Sequence, residues 1–336
     1  MLKEVIIQLS NKQDLTQAEA YSAMSEIMSG EATDAQIAAF LMGLRLKGET
    51  VEEIAGCANV MREKAVRIST KHKNVIDTCG TGGDASGTFN ISTTAAIIAS
   101  AGGAAVAKHG NRAVSSRCGS ADVLKALGIN LDVTPEKSSN ILDETGITFL
   151  FAPLMHGAMK YAANVRRELS IRTLFNILGP LTNPAGAQRQ VLGVFHPALT
   201  ETLAGVLKEL GSHHALVVHG EGGFDELSTA GWTKISELKN GSVNTYEVHA
   251  DQLGFKKVTV ENLKGGDPEQ NAAIVRRILE GKDGATRDIA LLNSGAALFV
   301  AGKAASLREG VSLAVETVDS GAAKRKLKDW VDASNS

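Results

Sequence analysis

Val75-Ile76-Asp77-Thr78-Cys79-Gly80-Thr81-Gly82-Gly83-Asp84, with Asn90-Ile91-Ser92-Thr93-Thr94 behind it, decides the fold. An apolar pair opens a short strand, three glycines in four positions end it, and a hydroxyl-rich segment opens a helix. Strand, glycine turn and helix in that order predict an α/β sheet. Clustered glycines let successive amides turn toward one point, a nest for phosphate oxygens. The helix N-terminus would add free amides and a favourable dipole. The spacing is neither GxxxxGK[ST] nor GxGxxG, because Gly87 follows Gly83 at the wrong interval. On its own composition the segment is equally a tight strand-to-helix turn.

Downstream, short apolar strands at Ala104–Ala107, Phe149–Ala152, Val191–Phe195 and Ala215–Val218 alternate with helical stretches. Trp232 to Val248 has the form of a hairpin around Asn240-Gly241, so the sheet is expected to be mixed. The last fifty residues return to helix, including Ala290–Ala305 and Leu307–Val318. Upstream the grammar is different. Thr16-x-x-Glu19, Thr33-x-x-Gln36 and Thr50-x-x-Glu53 are three capping boxes, and Gly30 and Gly48 stand where the first two helices should stop. Ile37, Phe40, Leu41 and Leu44 form an i, i+3, i+4, i+7 stripe, and Val51, Ile54, Ala58 and Met61 form another. The expected architecture is therefore α/β with a separate all-α domain: a small helical bundle packed on a mixed, mostly parallel sheet flanked by helices. The pattern changes near residue 70 without a linker.

Composition narrows the class. With 336 residues, 43% hydrophobic and 21% charged, the chain can bury a sizeable core. A net charge of −2 gives no footprint for nucleic acid or an anionic membrane. Cys57, Cys79 and Cys118 form no CxxC pair and are expected to be reduced thiols of a cytoplasmic protein. The apolar run after Met1 is too short for a secretory signal, and no run is long enough to span a membrane.

Three further segments carry chemistry. Lys108-His109-Gly110-Asn111-Arg112-Ala113-Val114-Ser115-Ser116 follows a strand and, taken as a loop, could neutralise a polyanion. Gly119-Ser120-Ala121-Asp122 opens another helix, a second possible anion seat. Gly222-Gly223-Phe224-Asp225-Glu226 puts adjacent carboxylates on a glycine-rich loop, which suits magnesium, although such a pair is more often a solvated turn. Arg166-Arg167-Glu168 and Arg172–Pro184 supply arginines that could hold a carboxylate or simply face water. Each loop follows a strand, so all could meet at one sheet edge.

Taken together, these segments resemble the anthranilate phosphoribosyltransferase family. Gly80-Thr81-Gly82-Gly83-Asp84 is similar to its diphosphate loop, Lys108–Arg112 to its Lys-His-Gly-Asn-Arg motif, and Asn90–Thr93 to its Asn-x-Ser-Thr. Arg172–Pro184 is similar to its Arg-Thr-x-Phe-Asn-x-Leu-Gly-Pro-Leu-x-Asn-Pro block. The matches run in order from about residue 30 to residue 300. The resemblance implies a helical domain from residues 1–70 plus about 163–186, and an α/β domain from 71–162 plus about 187–336. It implies a site in the cleft between them and a homodimer made through the helices.

It also implies residue roles. Gly80, Gly83, Asp84, Thr88, Asn90, Ile91, Ser92, Thr93, Lys108, His109, Gly110, Asn111, Arg112, Ala113, Val114, Ser115, Ser116 and Ser120 would line a phosphoribosyl diphosphate site. Gly80, Asn111 and Arg166 would face anthranilate, with Arg166 the carboxylate partner. Ser92, Asp225 and Glu226 would serve magnesium, two ions per subunit. No general base is implied, and His109 is expected to be a substrate-side contact. Two positions depart from the family pattern: Ser170 stands where glycine is usual, and Gly157 where proline is common. The rivals are a pyrimidine nucleoside phosphorylase, a nucleic-acid-binding relative without the metal pair, and a purely structural protein. The charge of −2 and the Asp225-Glu226 pair count against the second.

Overall fold

The computed structural model describes residues 1–83, 86–113 and 117–336. Helices α1 (Leu2–Ser10), α2 (Gln17–Met28), α3 (Asp34–Lys47) and α4 (Val51–Lys64) form the bundle. Thr16, Thr33 and Thr50 each accept a hydrogen bond from the third helical amide, and the residue there reaches back, so all three boxes are closed. Each cap is worth about 1 kcal/mol. The expected stripe of α3 is buried, as are Ile54, Ala58 and Met61 of α4. Glu53 does more than cap. Its buried carboxylate accepts from Leu15 N at 2.9 Å and pairs with Lys47 at 3.0 Å, which ties α4 to the loop before α2.

The sheet follows. Its strands are β1 (Val75–Gly80), β2 (Ala105–Gly110), β3 (Ile147–Phe151), β4 (Arg189–Gly193), β5 (His214–Gly220), β6 (Trp232–Lys239) and β7 (Ser242–His249). Their order is β3-β2-β1-β4-β5-β6-β7, parallel from β3 through β5 and antiparallel for the last two. The hairpin turns at Asn240 and Gly241, both at positive φ, as a two-residue turn requires.

The helices between strands are α5 (Ile91–Ala101), α6 (Ser120–Ala126) and α7 (Pro135–Thr145), then α8 (Ala152–Met155), α9 (Lys160–Leu169), α10 (Phe175–Leu178) and α11 (Leu199–Glu209). The chain closes with α12 (Pro268–Leu279), α13 (Ala285–Val300), α14 (Leu307–Asp319) and α15 (Ala322–Asn335). No helix of the described residues is long and apolar enough to cross a membrane.

Alternation along the central strands explains the layers. Leu192, Val194, Ala215 and Val217 share a core with α11 and the helical bundle, whereas Val191, Leu216 and Val218 share the opposite core with α5, α12 and α13. Ala162 and Val165 of α9, and Phe175, Ile177 and Leu178 of α10, join the bundle core although they lie far along the chain. Arg62 of α4 ties this segment in, donating to the carbonyls of Leu181 at 2.7 Å and Leu210 at 3.1 Å. Burial lowers its pKa to about 10, so it stays charged at neutral pH.

Candidate active site at the switch point of the sheet

After β1 the chain goes outward to β2 and β3, then returns to the other side of β1 as β4. Such a reversal opens a crevice beyond the carboxyl ends of the strands. Here β1, β2, β4 and β5 all close on glycine: Gly80, Gly110, Gly193 and Gly220. Gly80 and Gly193 are register partners. Onto this shelf folds the loop after β5. A Cβ on Gly80 would lie 2.4 Å from the Asp225 carboxylate, and one on Gly193 would lie 1.5 Å from the Asp225 carbonyl. A Cβ on Gly220 would lie 2.7 Å from the Glu226 carbonyl. No side chain fits at these points, and their absence lets the acidic pair reach the strand ends.

The pair then meets the glycine loop and the helix. Asp225 Oδ2 accepts from Gly82 N at 2.8 Å, and Glu226 Oε1 accepts from Ser92 N at 3.1 Å. The sequence reading expected free amides at the start of α5; the Ser92 amide is instead engaged by Glu226. Thr78, Cys79, Gly80, Ser92, Glu226 and Asn293 line one small cavity. Arg172 donates to the Gly83 carbonyl, and its guanidinium stacks 4.1 Å from the Phe195 ring centre.

Strands β1 and β2 pair only at Val75–Ala105 and Ile76–Val106, then part. Side chains fill the gap. Asp77 accepts from His109 N at 3.1 Å and from Asn183 Nδ2 at 2.7 Å, and Asn183 also donates to the Ala107 carbonyl at 2.8 Å. Burial raises Asp77 to a pKa of about 6, against the opposing pull of Lys108 and its hydrogen bonds.

Lys108, His109 and Gly110 are therefore strand residues rather than the loop that the sequence suggested. The Lys108 ammonium, 1% exposed, donates to the Thr78 carbonyl and to Ser92 Oγ at 3.3 Å. The His109 ring, 3% exposed, sets Nδ1 against the Gly179 carbonyl at 3.2 Å and lies 5.0 Å from the His156 ring. Burial, with His156 beside it, pushes His109 down to about 3, and burial lowers His156 to about 4.

The remaining positions sort by side chain. Ile91 and Thr93 point into the core of α5, so only their main chain can face the crevice. Asn90 donates to the Cys118 carbonyl and accepts from Asn271 at 2.9 Å. Thr88 bridges to Lys264. Asn111 and Arg112 are exposed, with the Arg112 guanidinium 5.5 Å from the Phe151 ring centre. The anion seat expected at Gly119 and Ser120 is filled from within. Asp122 accepts from Gly119 N at 2.9 Å and Ala113 N at 3.0 Å. Arg166 stacks 5.3 Å from the Phe175 ring centre, and burial lowers its pKa. Ser170, at the end of α9, adopts φ 48°, the left-handed region where the family's glycine would be unstrained. Asp84, Val114, Ser115 and Ser116 lie outside the described residues.

Sequence reasoning missed Gly193, Asn293, Asn271 and the link between Asp77 and Asn183. A glycine closing an apolar strand beside Gly80 was the one signal available for Gly193.

The fold and crevice define a two-domain transferase. The chain matches the glycosyl transferase family, helical bundle domain, over residues 3–65 and the glycosyl transferase family, a/b domain, over residues 72–324. Within that class it belongs to the anthranilate phosphoribosyltransferase family. It is 54% identical to the anthranilate phosphoribosyltransferase of Symbiobacterium thermophilum, over 97% of this chain and 96% of that one. It is 52% identical to that of Acetivibrio thermocellus, over 100% and 97%. The crystal structure of the enzyme from Thermus thermophilus superposes with a TM-score of 0.94 at 45% identity, covering 99% of both chains. The Saccharomyces cerevisiae enzyme, in complex with PRPP and Mg, superposes at 0.90 with 26% identity, covering 99% of this chain and 98% of that one.

Proposed function

We propose that this chain transfers the phosphoribosyl group of 5-phosphoribosyl 1-diphosphate to the amine of anthranilate, releasing diphosphate and N-(5-phosphoribosyl)anthranilate for tryptophan biosynthesis. The observation that carries this reading is the meeting of the Gly82 amide, Asp225, Glu226 and the start of α5 at the switch point, in a chain of this family. The residues suit magnesium. Among the described residues no cluster of three or more His, Cys, Asp or Glu could hold a metal alone. Asp225, Glu226 and Ser92 would supply part of a hard oxygen shell and substrate phosphates the rest, the division magnesium favours. We assign two ions per subunit. Held there with substrate, magnesium would supply positive charge against that of the departing diphosphate.

The protein's own groups do the remainder. Gly80, Gly83, Thr88, Asn90, Ser92 and the amides of Ile91 and Thr93 would cradle the diphosphate from one side. Gly110, Asn111, Arg112, Ala113 and Ser120 would approach from the other, and we assign Asp84, Val114, Ser115 and Ser116 to the same ligand on the resemblance alone. Lys108 lies beneath this floor, where it holds Ser92 and adds positive potential under the departing diphosphate. Arg166 would grip the anthranilate carboxylate and, with Asn111 and Gly80, point the amine at the anomeric carbon from the face opposite the leaving group. That amine is neutral at pH 7, so no general base is assigned. A His109 ring with a pKa near 3 is too weak a base for the task, which supports a role in shaping the wall.

We assign residues 1–70 and about 163–186 to the helical domain and the rest to the α/β domain, with dimerisation through the helices. Ile7 and Leu46, 61% and 75% exposed on the neighbouring helices α1 and α3, support that surface. We place the protein in the cytoplasm, where the thiols of Cys57, Cys79 and Cys118 would stay reduced. Loss of anthranilate fluorescence on adding phosphoribosyl diphosphate, with and without magnesium, tests the reaction. A magnesium-dependent loss with stoichiometric diphosphate release is expected. Folded protein giving no loss, or one that cleaves thymidine or uridine with phosphate, would overturn the reading.

A further inference from the structure

Helix α13 is buried from Ile289 to Val300, and Asn293 lies within that stretch, 3% exposed. An amide side chain has one acceptor and two donor hydrogens, and a buried one is tolerated only when they are used. Asn293 uses its acceptor and one of its donors on a single residue. Its Oδ1 accepts from Leu227 N at 2.9 Å, and its Nδ2 donates to the Leu227 carbonyl at 2.9 Å. A second donation, to Ile289 O at 2.9 Å, locks the amide to its own helix. A single side chain thus satisfies both main-chain groups of Leu227, as a paired strand would.

Leu227 follows directly after Asp225 and Glu226. The acidic pair is pressed from the sheet side onto the glycine shelf at Gly80 and Gly193 and gripped from the helix side by Asn293. Asn293 and Glu226 line the same small cavity. The amide fork fixes the main chain from which both preceding carboxylates project.

We propose that Asn293 is a positioning residue, which aims the Asp225 and Glu226 carboxylates and thereby sets the divalent-cation affinity of the diphosphate-loaded site. This inference rests on the reading of those carboxylates as cation ligands. Asn293→Ala removes the fork, and Asn293→Ser is a milder truncation. Free Mn2+ is titrated by electron paramagnetic resonance in the presence of inorganic diphosphate. Each folded variant should bind Mn2+ roughly 10- to 100-fold more weakly than the parent, the range for a residue that orients a metal's ligands. The magnesium midpoint for turnover should rise in parallel, with rate recovering at high magnesium.

A merely structural Asn293 would lower the unfolding midpoint and leave the Mn2+ affinity at the parental value; that result overturns the proposal. If the parent itself binds no Mn2+ with diphosphate, the assignment of the carboxylates fails, and the proposal falls with it. Should neither variant fold, hydrogen exchange on the parent decides. The Leu227 amide should exchange as slowly as those of α13, and rapid exchange would show that no fork holds it.

Discussion

Asn183 donates to Asp77 at 2.7 Å in the gap where strands β1 and β2 part, so a buried carboxylate joins the sheet to the segment returning from the helical layer. Burial holds the Asp77 pKa near 6, above its ordinary 3.8. A raised carboxyl pKa gives stability that is fully present below about 3.8 and is lost as pH rises through about 6. The unfolding free energy of the parent relative to Asp77→Asn should therefore fall between pH 4 and pH 7, by a difference on the order of 3 kcal/mol. Denaturant titrations across that range measure it. A flat difference would place the Asp77 titration at its ordinary value.

Gly193 leaves 1.5 Å between a notional Cβ and the Asp225 carbonyl. Gly193→Ala should push the acidic loop off the shelf, costing about 1–3 kcal/mol in stability. Turnover at ordinary magnesium should drop by more than the stability loss explains. Parental kinetics from this variant would mean that the loop can settle elsewhere without harm.

Asp225→Asn combined with Glu226→Gln removes both formal charges while keeping size. Magnesium-dependent turnover should vanish although the circular dichroism spectrum is unchanged. Activity retained at ordinary magnesium would remove the metal role.

Arg166 is assigned to the anthranilate carboxylate, and a hydrogen bond to a charged group is worth about 1.5–3 kcal/mol. Arg166→Ala should raise the Michaelis constant for anthranilate about 10- to 100-fold and leave that for phosphoribosyl diphosphate nearly unchanged. Arg166→Lys should recover only part of the loss, because the bidentate fork is gone. An unchanged constant for anthranilate excludes the assignment.

Glu53 is fully buried against Lys47, Leu15 N and Thr50 N. Removing Glu53 leaves Lys47 paired with Asp14 at 2.7 Å but strips the Leu15 and Thr50 amides of their acceptor, at a cost of about 1–3 kcal/mol, below that of a stranded buried charge. Glu53→Ala should lower the denaturant midpoint by a corresponding amount, and Glu53→Gln by less. A loss under about 1 kcal/mol for the alanine variant would mean that Asp14 alone holds Lys47 and that water reaches the freed amides.

What was legible in the sequence was local. The threonine boxes close over three residues, and the α3 stripe needs only helical periodicity, so both could be seen without neighbours. The hairpin announced itself through Asn240-Gly241. In the sequence Lys108 and His109 have the look of a loop, because two such polar side chains rarely lie buried in a strand; their partners, the Thr78 and Gly179 carbonyls, come from distant segments. Asn293 was invisible for the same reason, as nothing in an apolar helix says which carbonyl an amide will reach. The acidic pair could be named, but not its partners, since Glu226 meets Ser92 across 134 residues and Asp225 meets Gly82 across 143.

Those separations impose an order on folding. Strand β1, helix α5 and strand β2 are neighbours in sequence and can assemble early, with the glycine turn already in place. The shelf at Gly80 and Gly193 is made only when β4 returns, and the carboxylates arrive after β5. Such long closures slow a chain's search. The proposed site thus closes only after β5 has joined the sheet, and a refolding chain should regain its helices and much of its stability before it can turn over substrate.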